Sequence, residues 1–251
     1  MPKHKVKLIL NPNANLGRAF HAAADLRTLV DEFGGADWTG TVYPTHAMEL
    51  ALQAAEAGYE LVIAAGGDGT VHEVINGLMQ APSENRPRLG VIPLGSGNDF
   101  SHAIGLDNRP PYAVRQIFTG QPKRFDLGKM VDGHGQCEYW DNAIGIGFDT
   151  IVTIRSRNVP VVRGFLIYLI VVIQTILLDN DAPRITFRSD LEEWEEEMLM
   201  LVLCNGGREG GGFMVSPQAR PDDGVFHYSG FGMDVRNLSV EILPGAIEVM
   251  A

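Results

Sequence analysis

From Leu61 to Met79 the chain reads LVIAAGGDGTVHEVINGLM. Leu61–Ala65 is a continuous apolar run of the kind carried by a parallel strand covered on both faces. Thr70–Met79 has its apolar residues at helical spacing. Between the two stand Gly66, Gly67, Asp68, Gly69 and Thr70. Glycines at such a turn let backbone N–H groups approach a ligand, and the helix N-terminus that follows favours an anion. Phosphate is the natural guest. The competing reading is a turn shaped by geometry alone, with Thr70 as the helix N-cap.

Two more polar, glycine-bearing loops are set out the same way: NPNANLGRA (Asn11–Ala19) and IPLGSGNDFSHAIGL (Ile92–Leu106). Strands are expected at Val6–Leu10, Thr39–Tyr43, Leu61–Ala65, Leu89–Ile92 and Phe125–Lys129. Helices are expected at Ala19–Phe33, His46–Ala57, Thr70–Met79 and Tyr112–Thr119. Alternating strands and helices imply a layered α/β domain. All three loops then fall at the carboxyl ends of parallel strands, the edge where ligands sit in open α/β sheets.

Beyond Lys129 strand-like stretches follow one another: CEYWDNAIGIGF, RITFRSD, EEEMLMLVLCNG and GVFHYSGF. The expectation is an α/β nucleotide domain over 1–128 and a β-rich domain over 129–238. The closing LSVEILPGAIEVMA reads as a strand pair that packs back on one of them, with a return of 239–251 to the first domain as one option. The acidic run Leu191–Glu197 reads as a solvated hairpin tip.

The 251-residue chain is 45% hydrophobic, enough for one large core or two modest ones, and carries a formal net charge of −11. That charge argues against nucleic acid as a partner, because phosphate backbones need a concentrated basic face. Cys137 and Cys204 match no metal spacing and read as buried free thiols. The apolar runs Val6–Leu10 and Phe165–Leu178 are too short for a signal peptide or a membrane span, so a cytoplasmic protein is expected. No G-x-x-x-x-G-K-[ST], G-x-S-x-G or His-Glu-x-x-His occurs. GIGFDT (Gly145–Thr150) has part of a dinucleotide fingerprint but lacks its third glycine and reads as a turn.

Taken together, N-P-x…G, G-G-D-G-T-x-x-E-x-x-N-G and P-x-G-[ST]-x-N-D-F resemble the diacylglycerol kinase catalytic-domain family, which is related to sphingosine and ceramide kinases. The likeness continues in order through RFDLGK, NAIGIGFD, RGFLIYLI, NGGREGGGFMVSPQARPDDGVF and VEILPGAIEV. It implies an α/β domain followed by a β-sandwich, with ATP and Mg²⁺ in the cleft and a lipid alcohol as acceptor. Diacylglycerol going to phosphatidic acid is the leading choice. ATP contacts are implied at Asn11, Pro12, Asn13, Ala14 and Asn15, at Thr45, at Gly67, Asp68, Gly69, Thr70, Val71, His72 and Glu73, and at Ser96. Asp68 would organise Mg²⁺ and its waters or orient the acceptor hydroxyl. Asn98 and Asp99 would extend that network, unless Asp99 only caps the next helix. A second Mg²⁺ is implied at the Asp223 carboxylate and the main-chain carbonyls of Arg220 and Val225. The apolar stretch Phe165–Leu178 would form a wall for acyl chains or part of the core, and Phe, Leu and Arg around 155–166 would touch the membrane surface transiently. The oligomeric state is left open, with a homodimer as one option.

The chain departs from the family in one place. The D-G-E segment that carries the family's expected general base has no counterpart, and no glutamate stands between Glu209 and Glu241. Either the protein is naturally shortened and impaired, or an internal segment around Phe231–Gly232 is missing. The second explanation fits better, because both flanks match. Rival readings are a kinase for a sphingoid base or phosphatidylglycerol, an NAD kinase, and a catalytically dead nucleotide- or lipid-binding regulator.

Overall fold

The computed structural model describes residues 5–147, 184–197, 200–231 and 239–251. In chain order the first elements are β1 (Val6–Leu10), α1 (Arg18–Glu32), β2 (Asp37–Gly40), α2 (His46–Glu56), β3 (Leu61–Gly66), α3 (Asp68–Gln80), β4 (Arg88–Pro93), α4 (Asp99–Ala103), α5 (Pro110–Thr119) and β5 (Pro122–Val131). They continue with β6 (Cys137–Trp140), β7 (Ala143–Gly147), β8 (Arg184–Arg188), β9 (Glu193–Glu197), β10 (Met200–Cys204), β11 (Arg208–Glu209), β12 (Phe213–Met214), β13 (His227–Phe231) and β14 (Ser239–Met250).

Seven strands form the main sheet in the order β2-β1-β3-β4-β14-β5-β6. The first four are parallel; β14 runs parallel to β4 and antiparallel to β5, and β6 is antiparallel to β5. Strand pleating sends alternate residues of the apolar runs to opposite faces. On β3, Val62 and Ala64 join a core with α2 and α3, while Ile63 and Ala65 join a second core with α1 and α5. All four are fully buried, and a side chain the size of Ile63 contributes about 1.5–3 kcal/mol when taken from water. The result is a helix–sheet–helix sandwich, and helices on both faces explain why these strands are apolar throughout. Helices α2 and α3 pack so closely that a Cβ on Gly77 would lie 2.2 Å from the Met48 carbonyl oxygen, so only glycine fits there.

The rest of the described chain is β structure: an antiparallel sheet β13-β10-β7, the hairpin β8–β9 and the ribbon β11–β12. Its core joins Trp140, Leu201 and Leu203 with Ile144, Phe187, Trp194 and Phe226.

Several expectations need correction. The second strand stops at Gly40 rather than Tyr43 because the Val42 N–H is taken by His46 Nδ1, which turns the backbone out of the ladder. Residues 145–147 of the supposed GIGFDT turn belong to β7 and pair with β10. The closing segment is one bent strand rather than a pair, with a bulge between Leu243 and Ile247 where Gly245 is left-handed. The hairpin turn lies at Ser189–Glu192, and Glu193–Glu197 form β9 itself, with Arg184 and Arg188 facing its acids. Cys137 is exposed on the edge strand β6; Cys204 is buried, which pushes its thiol up to about 12. The helix expected over Thr70–Met79 starts earlier, at Asp68, and Thr70 is not its cap. No helix among the described residues is long and apolar enough to cross a membrane. Phe165–Leu178 and the surface assigned around 155–166 lie outside the described residues.

Candidate functional site

Three turns meet at the carboxyl edge of β1, β3 and β4. After β1, the Asn11 side-chain amide donates to Thr70 Oγ1 at 3.1 Å, and Asn11 Oδ1 accepts the Asn13 N–H. Pro12 and Ala14 are half-buried, while Asn13 and Asn15 are exposed. Asn15, Leu16 and Gly17 then take left-handed conformations in succession, which for Asn15 and Leu16 is uncommon backbone geometry. After β3, Gly67 precedes α3 with no side-chain cap, so the first amides of the helix, at Asp68 and Gly69, are free of intrahelical partners. Thr70 and Val71 are buried beneath that turn. After β4 comes the Gly95–Asn98 turn, closed by Asn98 Oδ1 accepting the Gly95 N–H at 2.9 Å, with Ser96 exposed at its tip. A Cβ on Gly95 would lie 2.3 Å from Gly67 Cα. The last two turns thus touch backbone to backbone, and no other residue fits at Gly95.

Asp68 binds these parts together. Its Oδ1 accepts the Phe100 N–H at 3.2 Å, so the carboxylate of one loop anchors the start of α4 in the next. Burial raises its pKa and the neighbouring Asp99 raises it further, against the opposing effect of backbone N–H groups from residues 98–100. Asp99 does not cap α4. Its Oδ1 takes Arg208 Nε at 2.7 Å and its Oδ2 takes the Gly211 N–H at 2.8 Å, while Arg208 Nη2 reaches the Gly97 carbonyl. Glu73 accepts the N–H groups of Thr45 and Ala47 and so fixes the start of α2, with Thr45 left-handed just before it.

One turn beyond Asp68 on the same face of α3, His72 Nε2 lies 2.7 Å from Glu138 Oε1 on β6. Burial pulls the His72 pKa down, but the Glu138 hydrogen bond and the charges of Asp141, Glu138 and Glu73 outweigh it, and the net shift is upward. Glu138 moves the other way, lowered by the same bond. A further turn along, Asn76 donates to the Tyr139 carbonyl and accepts the Tyr139 N–H, which fixes the distance between α3 and β6. A cavity of about 220 Å³ opens between them, lined by His72, Met130, Glu138, Trp140, Asp141 and Ile144.

The segment 220–225 is organised by a residue that sequence reasoning did not single out. Asp126 on β5 accepts the N–H groups of Gly224 and Gly245 and donates its own to the Pro221 carbonyl. Asp223 is exposed, with Oδ1 turned to the Val225 N–H; Arg220 pairs with Asp222. Among the described residues no group of three or more His, Cys, Asp and Glu side chains is spaced to hold a metal ion.

The model of the diacylglycerol kinase catalytic domain matches residues 5–130, the half that carries all three loops. The chain belongs to the diacylglycerol kinase catalytic domain family. Among curated members it is 38% identical over 181 residues to a Chromohalobacter salexigens protein named "Probable lipid kinase YegS-like", covering 71% of this chain and 56% of that protein. It is 30% identical over 230 residues to the "Diacylglycerol kinase" of Staphylococcus saprophyticus, covering 89% of this chain and 72% of the relative. The chain therefore spans little more than half the length of the YegS-like relatives that it matches. A crystal structure of a diacylglycerol kinase from Bacillus anthracis shares the fold with a TM-score of 0.75 at 22% identity, over 100% of this chain and 98% of that one.

Within this family chain, Asn11, Asn13, Gly67, Asp68, Gly69, Thr70 and Ser96 lie on the three meeting turns. Thr45, His72 and Glu73 join them through α2 and α3. Arg220, Asp223 and Val225 sit on the separate loop held by Asp126. Arg208, Asp126 and Asp141 carry no assignment from the sequence. The quoted motifs contain the first two, but nothing local shows that they tie distant loops together.

Proposed function

We propose that this chain is an ATP- and Mg²⁺-dependent lipid kinase that transfers the γ-phosphoryl group of ATP to a lipid hydroxyl, with diacylglycerol giving phosphatidic acid. The observation that carries this reading is the meeting of three glycine-bearing turns at one sheet edge, with the free amides of α3 facing them. Such amides and the helix dipole suit a nucleotide's phosphates. Asn11, the Gly67–Thr70 turn and the Gly95–Asn98 turn line the phosphate cradle, and Glu73 holds the Thr45 loop at its side.

The residues present fit a divalent cation. The charge of the buried Asp99 raises the pKa of the half-buried Asp68, and a cation beside Asp68 would relieve that repulsion. When bound there, Mg²⁺ would neutralise phosphate charge. Asp223, with the carbonyls of Arg220 and Val225, offers hard oxygen ligands for a second ion on a loop that Asp126 keeps in shape. A lipid acceptor brings the protein to a membrane surface transiently.

The test is transfer from labelled ATP to diacylglycerol in mixed micelles with Mg²⁺, with a sphingoid base and phosphatidylglycerol run in parallel. Labelled phosphatidic acid supports the reading. Faster transfer to another lipid alcohol reassigns the acceptor. ATP binding without transfer to any of them sinks the kinase reading and leaves a nucleotide-binding regulator.

A further inference from the structure

We propose that Asp141 accepts the proton of the acceptor hydroxyl, and so serves as the general base of the transfer. The proposal rests on the lipid-kinase reading and identifies the residue that the reading otherwise lacks.

The cavity between α3 and β6 has two characters. Met130, Trp140 and Ile144 make one part apolar, while His72, Glu138 and Asp141 make the other polar. That combination suits a ligand with a hydroxyl at one end of an apolar body. The cavity also lies close to the phosphate cradle: His72 follows Asp68 by one helical turn, about 6 Å along the axis. An acceptor there can present its hydroxyl to a phosphate held at the α3 N-terminus.

Among the acids of this region, Asp141 stands apart. Asp68 is engaged by the Phe100 N–H, Asp99 by Arg208 and Gly211, and Glu138 by His72. Asp141 is only 7% exposed, yet its Oδ2 has no hydrogen-bond partner among the described residues. A buried acceptor without a donor is costly, and an entering O–H would supply the donor. The residue is firmly mounted, because the buried Asn205 side-chain amide donates to the Asp141 carbonyl at 2.7 Å and also to that of Asp126. The charged groups facing it are His72 and Asp68 from α3, with Glu138 on the same cavity wall. Burial pushes its carboxyl up to about 6, Asp68 adds to the rise and His72 opposes it. An acid of that strength is ionised near neutral pH yet more basic than an ordinary aspartate, as a general base should be.

In the transfer step, the hydroxyl proton passes to Asp141 Oδ2 as the hydroxyl oxygen forms a bond to the γ-phosphorus of ATP. The bond from that phosphorus to the β–γ bridging oxygen breaks, and its electron pair leaves with ADP. Asp141, now a carboxylic acid, returns the proton to water after the phosphorylated lipid departs.

The experiment compares the full chain with Asp141→Asn in the mixed-micelle assay across pH 5–9, beside ATP affinity measured by calorimetry. The expected result is a kcat lower by about 10²–10⁴-fold, the range of a general base, with ATP affinity and the lipid KM changed less than about threefold. The wild-type kcat/KM should fall on the acid side as the Asp141 carboxylate is protonated, and the variant should lose that limb. Asp141→Glu, which restores a carboxylate, should recover part of the rate. A variant that keeps more than about a third of the wild-type kcat, or keeps the acid limb, overturns the proposal while the kinase reading stands. Wild-type protein that phosphorylates no lipid alcohol overturns both. If Asp141→Asn does not bind ATP, Asp141→Ser is judged by the same criteria.

Discussion

Arg208 Nε donates to Asp99 Oδ1 at 2.7 Å across 109 positions of sequence, inside the protein, with side-chain exposures of 17% and 7%. This pair fastens the turn after β4 to the glycine-rich stretch after β10. The second guanidinium contact, Nη2 to the Gly97 carbonyl, closes a ring through that turn. Removing the cation leaves a buried carboxylate unpaired. Arg208→Ala should therefore lose about 3–5 kcal/mol of stability and lower Tm by roughly 10 °C. Arg208→Lys should fall between, because an ammonium cannot reproduce the forked geometry. Thermal denaturation of both variants checks this. A drop of under 2 °C for Arg208→Ala would show the pair to be energetically idle.

Asp68 has a structural duty and a proposed chemical one, and two substitutions separate them. Asp68→Asn keeps an oxygen for the Phe100 N–H but removes the charge, so Tm should hold within a few degrees while transfer falls about 10²-fold or more. Asp68→Ala removes the anchor of α4 as well, and should lose about 1–2 kcal/mol besides the activity. Equal activity in Asp68→Asn and the wild type would reduce Asp68 to a turn residue.

At Gly95 no room exists for even one methyl. The added carbon of Gly95→Ala, 2.3 Å from Gly67 Cα, must push the β3 and β4 turns apart. Calorimetry should show ATP affinity lowered at least about tenfold, equivalent to ~1.4 kcal/mol, and Tm should fall as well, because backbone rather than a flexible side chain has to yield. Unchanged affinity would mean that the two turns do not form one cradle.

How much of this is visible in the sequence depends on range. The strand β3 is plain because both faces of the sheet are covered, so LVIAA is apolar throughout. Its turn is plain because Gly66–Gly67 and Gly69 flank an acid. The β2 boundary escapes a sequence reading because a side chain, His46 Nδ1, replaces the expected backbone partner, and local propensity does not register such a bond. The role of Asp126 is hidden for a different reason. Its partners Gly224 and Gly245 lie 98 and 119 positions away; β14, entering the sheet between β4 and β5, brings Gly245 to it, and Gly224 arrives on the loop that Pro221 ties to the Asp126 N–H. Asp141 stands in a stretch that reads as a plain strand, and only its burial beside His72 marks it out.

Burial of Asp141 has a cost that a pH series should reveal. Its carboxyl rises from 3.8 to about 6 on folding. A group whose pKa is raised in the folded state favours folding below the unfolded value, and that contribution is lost as pH climbs through the folded value. The wild type should therefore lose stability from this residue between about pH 4 and pH 6, and keep the deficit above it. A rise of that size corresponds to at most about 3 kcal/mol. Asp141→Asn has no proton to lose, so it should match the wild type near pH 4 and exceed it by roughly 1–3 kcal/mol at pH 7.5. Other titrating groups, including the raised Asp68 and His72, are common to both proteins and largely cancel in the difference. Urea unfolding at the two pH values measures it. A variant less stable than the wild type at pH 7.5 would mean that the Asp141 carboxylate has a strong partner in the folded state, and it would then be a poor candidate for a waiting base.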